Sequence, residues 1–256
     1  MCSITFYSSF AQEAVKIPAY AKESYPMSWY QTQIKAWERV IALNPTDENA
    51  WYNYYSANRI VIFHDEHQQP SLREKDTRLI DLVKNMGEKI PNTYTYNFCK
   101  WQLGGNNMAY YSYLEKAIAI DSNRIEHIDY MINIGELQRL PLQRDMYSLK
   151  KIQTGQMSAG MMYYNYNVLI GLEKNALLLT CGDNDTYPAW ALQAKGIRKD
   201  VKVINLYLLQ IKDYRNKIFA ELGLKDVDVS DEAWADFFKH KLFPQLLANK
   251  QQYPIY

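Results

Sequence analysis

The residues best suited to chemistry stand in one short acidic stretch, Gly182-Asp183-Asn184-Asp185-Thr186. Two carboxylates at i and i+2 can offer oxygen ligands to a divalent cation, and they can equally accept hydrogen bonds from sugar hydroxyls. Asn205, near the end of a second apolar run, is placed to join them. A helix start beside the pair would supply backbone N–H groups, but the two acids repel a phosphate unless a cation intervenes. A purely structural role is also open: an Asp or Thr caps the helix and Asn takes a left-handed turn. A cap needs one such residue, and here there are four. The candidate ligand set is therefore Gly182, Asp183, Asn184, Asp185, Thr186 and Asn205. Asp183 and Asp185 are the candidate metal ligands, and a divalent cation is the one cofactor considered.

The elements that would hold this loop read as strand, helix, strand. Ala176-Leu177-Leu178-Leu179-Thr180-Cys181 is a continuous apolar run, as expected of a strand covered on both faces. Pro188 stands near a helix start, Trp190, Ala191 and Ala194 give a packing face, and Gly196 closes the helix. Val201 to Leu206 is the next strand, so the pair is parallel and joined by a right-handed crossover. In open parallel sheets ligands sit at the carboxyl ends of strands, which is where the acidic stretch falls. Helices are expected around Asp213–Leu222 and Asp231–Leu247, and Tyr253–Tyr256 begins a third strand. Residues 174–256 thus read as a partial Rossmann-like parallel α/β domain that continues past Tyr256.

From about 27 to 173 the apolar period is helical. Tyr30, Ile34, Trp37 and Ile41 form one stripe, and Asn44-Pro45-Thr46-Asp47 breaks that helix and caps the next. Further stripes run through Trp51–Asn58, Leu72–Ile90, Phe98–Trp101, Tyr111–Ile118, Ile125–Ile132, Leu142–Ile152 and Met161–Leu172. Eight helices on short turns make four antiparallel hairpins. Similar segments begin at Glu38 and at Glu115, 77 positions apart, which is about two helix-pair repeats. The run from Ala42 to Trp51 resembles the junction between tetratricopeptide repeats, with small Ala42 and Ala50 allowing close helix approach. Such stacks present a concave wall to a protein partner. Tyr52, Tyr55, Tyr96, Tyr111 and Tyr163 are the candidate groove residues, although most tyrosine rings here are expected between helices.

Other features exclude more than they propose. The chain carries 29 basic and 28 acidic residues, net +1, too little charge to draw nucleic acid. Mean hydropathy is −0.42 and no apolar run reaches the roughly 18–20 residues of a membrane span. Cys2, Cys99 and Cys181 form no CxxC pair and read as buried, unpaired thiols. His64-Asp65-Glu66-His67 has metal-ligand types but no third cluster to complete a site. His127 and His240 read as ordinary residues, and Lys199-Asp200 and Lys212-Asp213 as solvated charges. No nucleophile elbow, phosphate-cradling loop or zinc-protease motif occurs. Ser9 and Ala11 precede Gln12 in a small-x-small pattern like that of a signal-peptide cleavage site. Residues 1–26 are thus expected to be a signal remnant or an extended segment. The expected location is the periplasm or cell envelope, with the cytoplasm as alternative.

The runs Asn167–Leu172, Leu179–Trp190 and Gly196–Leu206, above all Gly182-Asp183-Asn184-Asp185-Thr186-Tyr187-Pro188-Ala189-Trp190, resemble the soluble segment of a bacterial membrane-protein family. That family is related to protein O-mannosyltransferases and is common in Bacteroidetes. The resemblance covers about 45 residues and none of the membrane helices, to which glycosyl transfer is attributed, so catalysis does not carry over; it implies a bacterial envelope setting and a shared α/β module of unassigned role. The sequence is thus expected to encode a non-catalytic envelope protein that binds a protein partner through its helices. The alternative is a glycan- or cation-binding enzyme or sensor using Asp183 and Asp185.

Overall fold

The computed structural model describes residues 13–64, 77–105, 107–225, 236, 238–248 and 253–256. The chain divides into two compact units, Met1–Arg124 and Ile125–Tyr256. The helices over 128–171 therefore share a unit with the sheet, although the sequence pattern changes character only near 174.

In the first unit, α1 (Met27–Leu43) and α2 (Glu48–His64) form a hairpin, followed by α3 (Arg78–Lys89), α4 (Tyr94–Leu103) and α5 (Tyr111–Ile120). Leu72, assigned to the third helix, and Asp65–His67 of the possible metal cluster lie outside the described residues. The α1–α2 turn forms as the sequence predicts: the Ala50 N–H donates to Asp47 Oδ1 at 2.9 Å, and Trp51 Nε1 donates to the Pro45 carbonyl at 2.9 Å. Ala50 is buried at the hairpin contact, whereas Ala42 is exposed, so only the first of these two small residues enables close approach. Tyr30 and Trp37 of α1 pack against Ala57, Ile60 and Val61 of α2 together with Ile17. Each large apolar side chain so buried is worth about 1.5–3 kcal/mol. Residues 13–17 lie extended over this hairpin, held by two buried amides. The Val15 N–H donates to Gln33 Oε1 at 2.7 Å and the Ile17 N–H to Asn53 Oδ1 at 2.8 Å. Further along, Trp51, Tyr55 and Ile62 of α2 meet Leu79, Leu82, Val83 and Met86 of α3 and Cys99 of α4.

The second unit opens with α6 (Ile128–Leu137), α7 (Pro141–Gln153) and α8 (Ala159–Gly171), then β1 (Leu177–Thr180), α9 (Asp183–Ala194), β2 (Lys202–Asn205) and α10 (Lys212–Leu222). Of the last expected helix, the described part is a π-turn at Phe238–Leu242 and a short α11 (Phe243–Ala248). β1 and β2 are parallel, with Leu177 opposite Lys202 and Thr180 opposite Asn205. Tyr253–Tyr256 pairs with β1 through the parallel bridge Leu177–Ile255. The Leu177 N–H donates to the Pro254 carbonyl at 2.7 Å and the Tyr256 N–H to the Leu177 carbonyl at 3.0 Å. β1 is therefore paired along both edges.

Side chains alternate across a sheet, and the two faces differ here. Leu177 and Ile204 join Tyr214, Ile218, Phe219, Leu242 and Leu246 in one core, while Thr180 and Asn205 face α9. An ionic cluster ties α6 and α7 to α10. Glu136, only 2 % exposed, accepts from Arg139, from Arg144 Nη1 at 2.7 Å and from the Tyr214 hydroxyl at 2.7 Å. Arg139 also forks onto Glu221 at 2.8 and 2.9 Å. A second clamp gives Asp200, read from the sequence as a solvated charge, an ion-pair partner. The Arg198 guanidinium donates to the Leu169, Leu172 and Glu173 carbonyls, each at 2.8 Å, closing the carboxyl end of α8. It also pairs with Asp200, and this hydrogen bond, helped by the Asn175 N–H, holds the Asp200 carboxyl well below the usual carboxylate range.

α6 and α7 approach closely at Gly135, where an added Cβ would lie 2.7 Å from the Arg144 backbone nitrogen. Gly135→Ala should therefore destabilise the protein by about 1–3 kcal/mol. Gly160→Ala, in helix and facing open space, should be neutral or stabilising by up to about 1 kcal/mol. Urea denaturation midpoints of the two variants check the contrast.

Candidate functional site

The acidic stretch forms the corner between β1 and α9. Gly182 has φ +119°, a value that side-chain-bearing residues rarely adopt. This lets the chain turn from strand into helix without a spacer. The Gly182 carbonyl then accepts from both the Thr186 N–H (3.1 Å) and the Thr186 hydroxyl (2.7 Å). Thr186 Oγ1 also accepts from Asn205 Nδ2 at 3.0 Å and lies 2.7 Å from Thr180 Oγ1. Asn205 Oδ1 takes the Tyr207 N–H at 2.9 Å. Thr180, Thr186 and Asn205 are all buried.

The six residues singled out from the sequence thus fall into two sets. Thr186 and Asn205 turn inward and bind each other, joining the two strand ends to α9. Asp183, Asn184 and Asp185 form the first turn of α9 with exposed side chains, and no side chain caps the helix at Gly182. Pro188 lies inside α9 and has no N–H for the Asn184 carbonyl. Asn165 of α8, itself buried, donates Nδ2 to that carbonyl at 3.3 Å, which holds the acidic turn against α8.

The tertiary fold brings groups to Asp183 that local spacing did not indicate. Tyr187, one turn along α9, lies near Asp183 and near Asn133 of α6, close enough for both to influence its hydroxyl. Lys151 of α7 pairs with Asp129 of α6 and lies 5.2 Å from the centre of the Tyr187 ring. Two carboxylates, an ammonium and a phenol from three helices therefore share one locality. Asp183 keeps an exposed side, yet crowding by protein around its carboxyl, and then the charge of Asp129, raise its pKa. Burial, followed by the charges of Asp183 and Asp129, raises the Tyr187 phenol far above its ordinary range, so it serves as a neutral donor. Cys181, at the end of β1, is exposed, contrary to the expectation of a buried thiol, while Cys99 is buried as expected. The Tyr207 hydroxyl lies beside the Cys181 sulfur, and this neighbour raises the pKa of the phenol. Among the described residues no three His, Cys, Asp or Glu side chains gather as a metal-ligand set.

The candidate groove residues do not share one environment. Tyr55 is 1 % exposed within the α2–α3–α4 core, which corrects its assignment to a groove: its ring contacts other helices. Tyr52, Tyr96 and Tyr111 are half-buried. Tyr52 lies under the Arg124 guanidinium at 5.5 Å, Tyr111 is edge-on to Trp101, and Tyr96 lines a cavity of about 420 Å³ with Tyr113 and Lys116. Tyr163, in the second unit, is 70 % exposed. It belongs to α8, which has no charged residue along its 13 positions and also exposes Tyr164, Tyr166 and Ile170. That patch was legible as a tyrosine cluster, but its exposure was not.

Thr186→Val should cost about 1–3 kcal/mol, because the buried Asn205 amide loses its acceptor. Asp183→Asn should act in the opposite sense. A carboxyl whose pKa is raised by folding favours the folded state only while protonated, and that advantage is lost as pH rises through the folded value. The Asn variant should therefore melt higher than wild type at pH 7. The gap should close below about pH 3.5, where the carboxyl is protonated in both states.

A family model described as TMEM260-associated domain 2 matches residues 161–221. The match spans α8, β1, the acidic corner, α9, β2 and most of α10, and so contains the Gly182–Trp190 stretch that carried the sequence resemblance. No curated protein and no solved structure gives a significant match.

Proposed function

We propose that this chain is a non-catalytic envelope protein that binds a protein partner, with α8 as the principal contact. The observation that carries this reading is the surface of α8. A helix with Tyr163, Tyr164, Tyr166 and Ile170 exposed and no charge to solvate it leaves aromatic area uncovered. Tyrosine combines a large apolar ring with a polar tip, which suits protein interfaces. The hairpins of the first unit act in this reading as tetratricopeptide-like repeats, with the cavity beside Tyr96 and Tyr113 as a second contact. The 174–256 segment is a Rossmann-like module that buttresses α8. An envelope location is supported by the resemblance to proteins related to O-mannosyltransferases and by the partial match to TMEM260-associated domain 2.

A second reading rests on the exposure of Asp183 and Asp185 at the carboxyl end of β1. The strands on either side of β1 lie on opposite edges, so the crossovers diverge at this point, and such switch points bind ligands in open α/β sheets. In that reading the corner holds a glycan or a divalent cation.

The two readings separate experimentally. A photo-crosslinking amino acid at Tyr163, in cells that express the protein, should yield one discrete protein adduct that Tyr164→Ser with Tyr166→Ser removes. The same probe at exposed Lys225 should not. Absence of a discrete adduct at position 163 would sink the first reading. For the second, Asp183→Ala with Asp185→Ala should abolish calcium or oligosaccharide binding measured by calorimetry, and wild type that binds neither would end it.

A further inference from the structure

The outer edge of β2 borders a cavity of about 230 Å³ that plays no part in the sites above. In the parallel ladder the Lys202 N–H reaches the Ala176 carbonyl and the Leu206 N–H the Thr180 carbonyl, each at 2.9 Å. By strand alternation the Val203 N–H points the other way, toward the free edge. Two carbonyls of that edge are already occupied. Gln193 Nε2 donates to Val201 O at 2.6 Å and Trp190 Nε1 to Val203 O at 3.3 Å. The Val203 N–H, in a residue only 6 % exposed, has no acceptor among the described residues. Buried backbone donors are almost always paired with protein, water or ligand.

The charges around the cavity are unequal in the same sense. Glu136 is held by Arg139, Arg144 and Tyr214, Glu221 by Arg139, and Asp145 by Arg144. Lys199 has no acidic partner among the described residues, and the nearest acid to the Lys202 ammonium is Glu221 at 3.9 Å. The acceptors are engaged and donors are left over. A partner strand would need free carbonyls beside the Val203 N–H, and those of Val201 and Val203 are taken.

We propose that this cavity binds a small oxyanion, a carboxylate or a phosphate, with an oxygen on the Val203 N–H and its charge shared by Lys199 and Lys202. Charge-assisted hydrogen bonds of this kind are the strong ones; Lys199 holds no acid among the described residues, and Glu221, which Lys202 meets at 3.9 Å, is held more closely by Arg139.

The test uses the full ¹⁵N-labelled chain, titrated with sodium phosphate and separately with sodium acetate at ionic strength held constant with sodium chloride. The Val203 amide resonance should shift to saturation with at least one of them, and the one that saturates identifies a tetrahedral or a planar ligand. Lys199→Gln with Lys202→Gln should weaken that binding about tenfold or more. Lys199→Gln alone, a change at an exposed position outside β2, should weaken it in the same direction. If the Val203 amide responds to phosphate and acetate no more than to chloride, or if the folded lysine variants bind as wild type does, the proposal is overturned.

Discussion

The hydroxyl of Thr186 is the constraint around which the second unit is arranged. Strand must become helix within two residues after Thr180, and the corner is buried on its inner side. One small group has to donate to the Gly182 carbonyl while accepting from Asn205 beside Thr180. A threonine hydroxyl can do both. Once it does, the carboxyl ends of β1 and β2 and the first turn of α9 become a single body. The remaining polar residues of the turn, Asp183, Asn184 and Asp185, are then directed outward. The structural role of the motif and the exposure of its acids therefore have one cause.

Charge is handled in two ways within this unit. Glu136 and Asp200 are matched by guanidinium forks whose planar geometry satisfies carboxylate and carbonyl oxygens together. Breaking such a pair by removing one partner is costly, because the other is left uncompensated. Around Asp183 the compensation is incomplete. One lysine serves Asp129, and the neutral Tyr187 phenol is the group that reaches Asp183. Burial of its carboxyl, and then the charge of Asp129, raise the Asp183 pKa, and such groups cluster at functional sites as well as in structural networks.

In the first unit aromatic rings and aliphatic side chains fill the spaces between helices, and the buried Gln33 and Asn53 amides bind an extended stretch of backbone that has no sheet to join. The contrast with α8 is instructive. Both regions are rich in tyrosine, yet Tyr30, Tyr55 and Tyr94 are enclosed while Tyr163 and Tyr164 face solvent. Composition alone does not separate a ring that cements helices from one that is available to a partner.

Local chemistry, visible in the sequence, determined the helices from Met27 to Gly171, the Pro45–Asp47 turn, and the parallel strands on either side of a short helix. These depend on apolar period, breakers and caps within a few residues of each other. The acidic corner was legible too, because four polar residues between an apolar run and a proline have few other uses. What only the tertiary structure decided was which side chains turn inward and what meets them. Thr186 and Asn205 bind each other across 19 positions. Arg198 reaches back across nearly 30 to close α8. Asp129 and Lys151 arrive beside the acidic corner from helices with no local relation to it. Tyr55 and Tyr163 carry the same side chain but have opposite surroundings, since burial is fixed by what packs on top of a residue, and that partner can lie anywhere along the chain.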